Sequence, residues 1–126
     1  MYTHLTVGTN DPEKARTFYD ALFAALGAGP GMYDAEKGRL MYSHNGSLFL
    51  VTRPIDGQPA THANGGTIGF AVDSPEQAAA WHAAGVANGG TTCEDPPGDR
   101  EMGPMKLYLA YLRDPDGNKL CTMHRY

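Results

Sequence analysis

The sequence predicts an α+β fold: two βαβββ modules whose strands form a curved, mostly antiparallel sheet around a concave cavity, with the helices outside. Three observations carry that prediction. The order strand, helix, three short strands occurs twice along the chain. The offset that pairs Pro12 with Pro75 also pairs Asp11 with Ser74, Leu5 with Ile68, Val7 with Phe70 and Gly27 with Gly90. The stretch Tyr111-Leu-Arg-Asp-Pro-Asp-Gly-Asn-Lys-Leu-Cys121 reads as a hairpin that closes the second copy. Pro115 pre-sets φ at the second turn position, Gly117 supplies a φ that other residues resist, and the apolar runs Leu107–Leu112 and Leu120–Met123 flank the turn.

Taken in order, Tyr2–Val7 alternates as a strand does, with Thr3, Leu5 and Val7 on one face and Tyr2, His4 and Thr6 on the other. Asp11 caps a helix that has Pro12 at its first position and Glu13 in its first turn. Ala15, Phe18, Tyr19, Leu22, Phe23 and Leu26 recur every three or four residues as one apolar stripe, and Gly27 ends it. Short segments follow at about 31–34, 39–43 and 47–52, the last two joined by the hairpin signal Asn45-Gly46. Residues 54–65, rich in Pro, Gly and Ala, read as a connector. The pattern then restarts: a strand over 66–72, a helix capped by Ser74 with Pro75 and Gln77 as a capping box, and a stop at Gly89-Gly90. Ala78, Trp81, His82 and Val86 supply that helix's apolar side. A short strand over 91–93 and the closing hairpin complete the second module, and 95–105 reads as a long irregular loop fit to serve as a cavity lid. The whole is a single domain, with module 1 over about 1–56 and module 2 over about 64–126.

Composition narrows the function classes. The chain has 126 residues, 41% of them hydrophobic, enough for a real core and too many for disorder. Its apolar runs are short and its start has no basic-then-apolar segment, so a cytoplasmic address with no membrane partner is expected. Net charge is −4 with scattered Lys and Arg, which argues against nucleic acid. Cys93 and Cys121 lack a CxxC spacing and read as free thiols. Sixteen Gly and nine Pro suit a sheet with many turns. The concave face takes the residues turned away from the helices: His4 and Thr6 on the first strand, Thr67 and Gly69 on the strand that opens module 2, and Cys121 and Met123 on the last.

The paired modules, the opening Thr-His-Leu-Thr-Val-x-x-x-Asp before a helix with Phe-Tyr, and the closing Asp-Pro-Asp-Gly-Asn-Lys-Leu together resemble the glyoxalase, bleomycin-resistance and extradiol-dioxygenase superfamily (vicinal oxygen chelate fold) across nearly the whole chain. The resemblance implies a divalent metal in the cavity. Its ligand slots fall on His4, on Thr67, on Cys121, and on Phe49 or Leu50 depending on register. Only His4 is a ligand of the family type, and a hard or borderline cation needs three or more N or O ligands. No cofactor is therefore expected, a softer site through His4 and Cys121 stays open, and glyoxalase I chemistry, which needs a metal and a carboxylate, is not.

Without a metal, the hollow would be lined by Tyr2, His4, Thr6, Phe49 or Leu50, Thr67, Leu109, Tyr111, Cys121 and Met123, apolar with a few polar points as small-molecule sites are. The resemblance gives Tyr111 a substrate-contacting place. Three functions fit. One is a lyase- or isomerase-type enzyme with His4 as acid or base, assisted by Tyr111 or Cys121. A second is a module that sequesters an aromatic or amphipathic molecule, as antibiotic-resistance relatives do. The third is a structural dimer with a vestigial cavity. Relatives commonly pair, and open strand edges give a motive for a homodimer here.

Overall fold

Asp11 and Ser74 start the two helices in the same way: each side chain accepts a hydrogen bond from a first-turn backbone N–H, of Lys14 and of Gln77. Gln77 returns the favour, its Oε1 accepting from the Asp73 N–H at 2.7 Å. The computed structural model describes Met1–Tyr126, in the order β1 (His4–Gly8), α1 (Pro12–Ala24), β2 (Met32–Asp34), β3 (Arg39–His44), β4 (Ser47–Thr52), β5 (Ile68–Ala71), α2 (Pro75–Ala87), β6 (Thr91–Thr92), β7 (Gly98–Met102), β8 (Met105–Arg113) and β9 (Lys119–Arg125). Both helices have 13 residues.

The strands make two sheets. One runs β1-β4-β3-β2; the other runs β5-β9-β8-β6, with β7 also pairing β8. In each, the first strand of the module lies parallel to the last, β1 to β4 and β5 to β9, and the remaining pairs are antiparallel. This is the duplicated βαβββ plan read from the sequence. The predicted curved sheet is thus divided, with β1 and β5 as outer strands that each have one hydrogen-bonded neighbour.

One core joins the modules. Phe18, Tyr19 and Leu22 of α1 and Trp81 of α2 are fully buried with Leu40 and Val51 of the first sheet and Ala110, Leu112 and Leu120 of the second. The helices meet at Gly85, where a Cβ would lie 2.5 Å from Leu112 Cδ2 and 3.0 Å from Leu22 Cδ1. Only a residue without a side chain lets α2 approach that closely. The buried stripe of α2 is accordingly Ala78, Trp81 and Gly85, whereas Val86, expected in the core, is 44% exposed because it lies one position round the helix.

The turn at Asp114–Asn118 ties these parts together. Asp114 is buried and accepts from the Tyr19 hydroxyl of α1 (2.6 Å), from the backbone N–H groups of Asp116 and Asn118 (both 2.9 Å) and from Asn118 Nδ2 (2.8 Å). Asn118 Nδ2 also donates to the Gly8 carbonyl at the end of β1 (3.1 Å). Gly117 sits at φ 92°, as the turn requires. Asn45 and Gly46, at φ 49° and 80°, form the primed turn that joins β3 to β4.

One expectation is corrected. Residues 95–105 are not an irregular lid: Gly98–Met102 is a strand, paired with β8 from Gly98–Leu109 to Met102–Met105. Gly103-Pro104 closes a two-residue turn, Gly103 at φ 59°, so polar side chains on a short hairpin masked the strand. Its Arg100 guanidinium is engaged locally, donating to the Pro96 carbonyl at 2.8 Å. No helix is long and apolar enough to cross a membrane.

Candidate functional site

Strand alternation decides which side chains share a face of a sheet. On the first sheet, His4 and Thr6 pair with Leu48 and Leu50 and share their face, while Leu5 and Val7 pair with Phe49 and Val51 and face the helices. Phe49 therefore does not share the face of His4; the residue beside Thr6 on that face is Leu50. The other expected positions lie on the second sheet. Gly69 pairs with Cys121 and Cys121 with Tyr111; Ala71 pairs with Met123 and Met123 with Leu109. Thr67 is exposed, just before β5.

A cavity of about 460 Å³ lies where the start of β1, the β3–β4 hairpin, the end of α1 and β5 come together. Of the residues expected to line a site or the concave face, it gathers Tyr2, His4, Phe49 and Gly69. Thr6, Thr67, Leu109, Tyr111, Cys121 and Met123 do not line it; Met123 instead borders an open groove beside β5. Its floor is aromatic. Phe23, Phe49 and Phe70 meet with ring centroids 5.3–5.6 Å apart, largely edge to face. Phe23, Phe70, Tyr42 and His44 belong to this lining and were not singled out from the sequence. The signal for them was weak: Phe23 and Phe70 read equally well as helix–sheet packing, and the cavity opens on the helix side of the sheets.

Tyr42 is fixed by Asp20, whose Oδ1 accepts from its hydroxyl at 2.6 Å and from the Gly31 N–H at 3.1 Å. Burial, then the bond to Asp20, lifts the Tyr42 phenol far above its ordinary range, so it stays protonated. His4 is exposed at the rim, with Nδ1 2.9 Å from Thr3 Oγ1. His44 Nε2 lies 3.2 Å from Asn45 Nδ2.

Tyr111 and Cys121 form a separate group with Lys119 and Glu94. The Lys119 ammonium pairs with Glu94 and stands 5.2 Å from the Tyr111 ring centroid. Burial, then the Glu94 carboxylate, pushes the Cys121 thiol up, which reduces its thiolate fraction and its strength as a nucleophile. Burial also raises the Tyr111 phenol, leaving it a hydrogen-bond donor.

The family's metal does not fit these donors. His4 and Cys121 lie on different sheets, Thr67 is a weak neutral donor, and Leu50 has none. No three His, Cys, Asp or Glu side chains converge anywhere in the chain.

A fold of two βαβββ modules with paired parallel edge strands and a cavity at their junction defines a class. The chain belongs to the glyoxalase/bleomycin resistance protein/dioxygenase superfamily, whose family model matches residues 2–122. A glyoxalase/bleomycin resistance protein from Albidiferax ferrireducens T118 is similar at 58% identity and TM-score 0.94, covering 99% of each chain. A family enzyme from Burkholderia phytofirmans PsJN shares the fold at 17% identity and TM-score 0.71, over 96% of this chain and 95% of that one. A lactoylglutathione lyase from Agrobacterium tumefaciens does so at 17% and 0.67, over 98% and 92%. Among curated proteins none matches the sequence.

Proposed function

We propose that the protein binds a small aromatic or amphipathic molecule in the cavity at the junction of its modules. The observation that carries this is the cavity itself: about 460 Å³, within the range of small-molecule sites, with an aromatic floor and polar groups at its rim. Binding of this kind needs no metal, and the family positions supply too few N or O donors to hold one. His4 is exposed and lies among the residues that line the cavity, which gives one further reading, a lyase- or isomerase-type reaction with His4 as acid or base. We also propose that two copies pair. The apolar residues Met32 and Met41 share one face of the first sheet and stand 75% and 37% exposed, and β1 and β5 each leave an edge unpaired.

The test is a thermal-shift screen of small aromatic metabolites and antibiotics with and without EDTA. A ligand at one hundred times its Kd should stabilise the fold by about 2.7 kcal/mol. The same shift is expected after chelation, and a shift abolished by EDTA and restored by zinc or nickel would overturn the metal-free reading. His4→Ala then separates the two functions: an enzyme loses turnover by about a hundredfold while keeping its ligand. A binder loses only the affinity of one hydrogen bond, about 1 kcal/mol.

A further inference from the structure

The strand that brings the second module to the cavity offers backbone groups as well as side chains. The Val72 N–H donates to the Met123 carbonyl at 3.4 Å, and Ala71 pairs with Met123 across the ladder. In a parallel ladder that bond turns the backbone groups of Phe70 and Val72 towards β9, and those of Gly69 and Ala71 the other way. β5 has no hydrogen-bonded neighbour on that side, and none of the turn, loop or cap bonds uses these groups. Gly69 and Ala71 are both exposed. The cavity lies on this free edge: Gly69, Phe70 and Ala71 line it together with Leu5 of β1, and no residue of β9 does.

The edge and the aromatic floor are in register. A residue that donated its N–H to the Gly69 carbonyl and accepted from the Ala71 N–H would run parallel to β5, opposite Phe70. Its side chain would then share the face of Phe70, whose ring centroid stands 5.3 Å from that of Phe23 and 5.6 Å from that of Phe49. Phe70 is half-buried, so part of this floor is open to a further ring. No Asp, Glu, Lys or Arg side chain lines the cavity, so an uncharged ligand leaves no such charge unpaired.

Granted that the cavity is a binding site, we propose that its ligand is an aromatic amide of peptide type, held extended as an added strand on the free edge of β5. The amide pairs with Gly69 and Ala71, and the aromatic side chain lies against Phe23, Phe49 and Phe70. A strand from a second copy fits less well. β5 is only four residues long and runs beside a hollow, and the exposed Met32 and Met41 lie on the first sheet instead.

Three probes test this by calorimetry: N-acetyl-phenylalanine N-methylamide, its ester analogue with oxygen in place of the phenylalanine N–H, and N-acetyl-alanine N-methylamide. The phenylalanine amide is expected to bind about tenfold tighter than the ester, which cannot donate to Gly69, and at least about tenfold tighter than the alanine amide. Ala71→Pro removes the outward N–H, a change that edge strands tolerate, and should weaken the phenylalanine amide by about tenfold. Undiminished affinity in that variant, once its melting curve shows it folded, would overturn the pairing. The ester comparison is made in the natural protein and stands even if the variant does not fold. Equal binding of amide and ester, weakened alike by Phe70→Ala, would overturn the edge pairing and leave the cavity reading standing. An alanine amide as tight as the phenylalanine amide would overturn the placement of the ring. Binding that occurs only as paired copies split, read by sedimentation, would give the edge to a second copy and overturn the proposal. No binding by any probe would overturn both this ligand and the cavity reading.

Discussion

The Asp114 carboxylate accepts four hydrogen bonds, and its energetics follow from burial. Four donors reach its carboxylate, one of them the fully buried hydroxyl of Tyr19. Those donors favour the ionised form, yet desolvation outweighs them and the Asp114 pKa stands above its ordinary 3.8. Asp114→Ala leaves the Tyr19 hydroxyl and the Asn118 amide without an acceptor, at a cost of about 3 kcal/mol, read by urea denaturation. The pH dependence has a definite sign. A carboxyl with a raised folded pKa holds its proton more tightly when folded, so its contribution is full below 3.8 and is lost as pH rises through the folded value. Asp114→Asn does not titrate there. The stability of the natural protein relative to that variant should therefore be higher at pH 3.5 than at pH 6.5, and a gap that widens with pH would contradict the assignment.

At the scale of elements, the contact between α1 and α2 depends on Gly85. In an exposed helix glycine is unfavourable by about 1 kcal/mol against alanine. Here the side chains that a Cβ would meet, Leu112 and Leu22, are themselves fully buried and have nowhere to move. Gly85→Val is expected to destabilise the protein by about 2 kcal/mol, by overpacking at the helix crossing. A melting temperature equal to that of the natural protein would show that the helices can part without loss. The elements whose packing is local were legible from spacing alone: both helices with their caps, the Asn45-Gly46 turn and the closing hairpin. β7 was not legible, because Gly98-Asp-Arg-Glu-Met102 carries little β signal of its own and forms by pairing with β8.

At the scale of the whole molecule, the first sheet leaves apolar side chains uncovered. Met32, Met41 and Leu48 lie on the face turned away from the helices, and such a face gains by association. A stable pair would bury on the order of 1,000 Å² or more in total. Sedimentation equilibrium is expected to give twice the chain mass, falling to the single-chain mass in Met32→Glu, Met41→Glu. A monomer for the natural protein at tens of micromolar would overturn the pairing. The candidate site also belongs to this scale, since its lining comes from β1, α1, the β3–β4 hairpin and β5.

The sequence by itself determined the duplicated module, its caps and turns, and the alternation of faces along the strands it revealed, though not the register that separates Phe49 from Leu50. These follow from spacing and from backbone preferences that act over a few residues. Only the tertiary structure decided which of those faces come together. It put Tyr2, His4 and Phe49 at one cavity, and Tyr111 with Cys121 elsewhere. Strand parity can say that Phe49 faces the helices once its register is known, but not that Phe23 and Phe70 meet it there. That depends on how the two sheets sit across a shared core, where helix packing at Gly85 and the buried bond from Tyr19 to Asp114 set the distance between them.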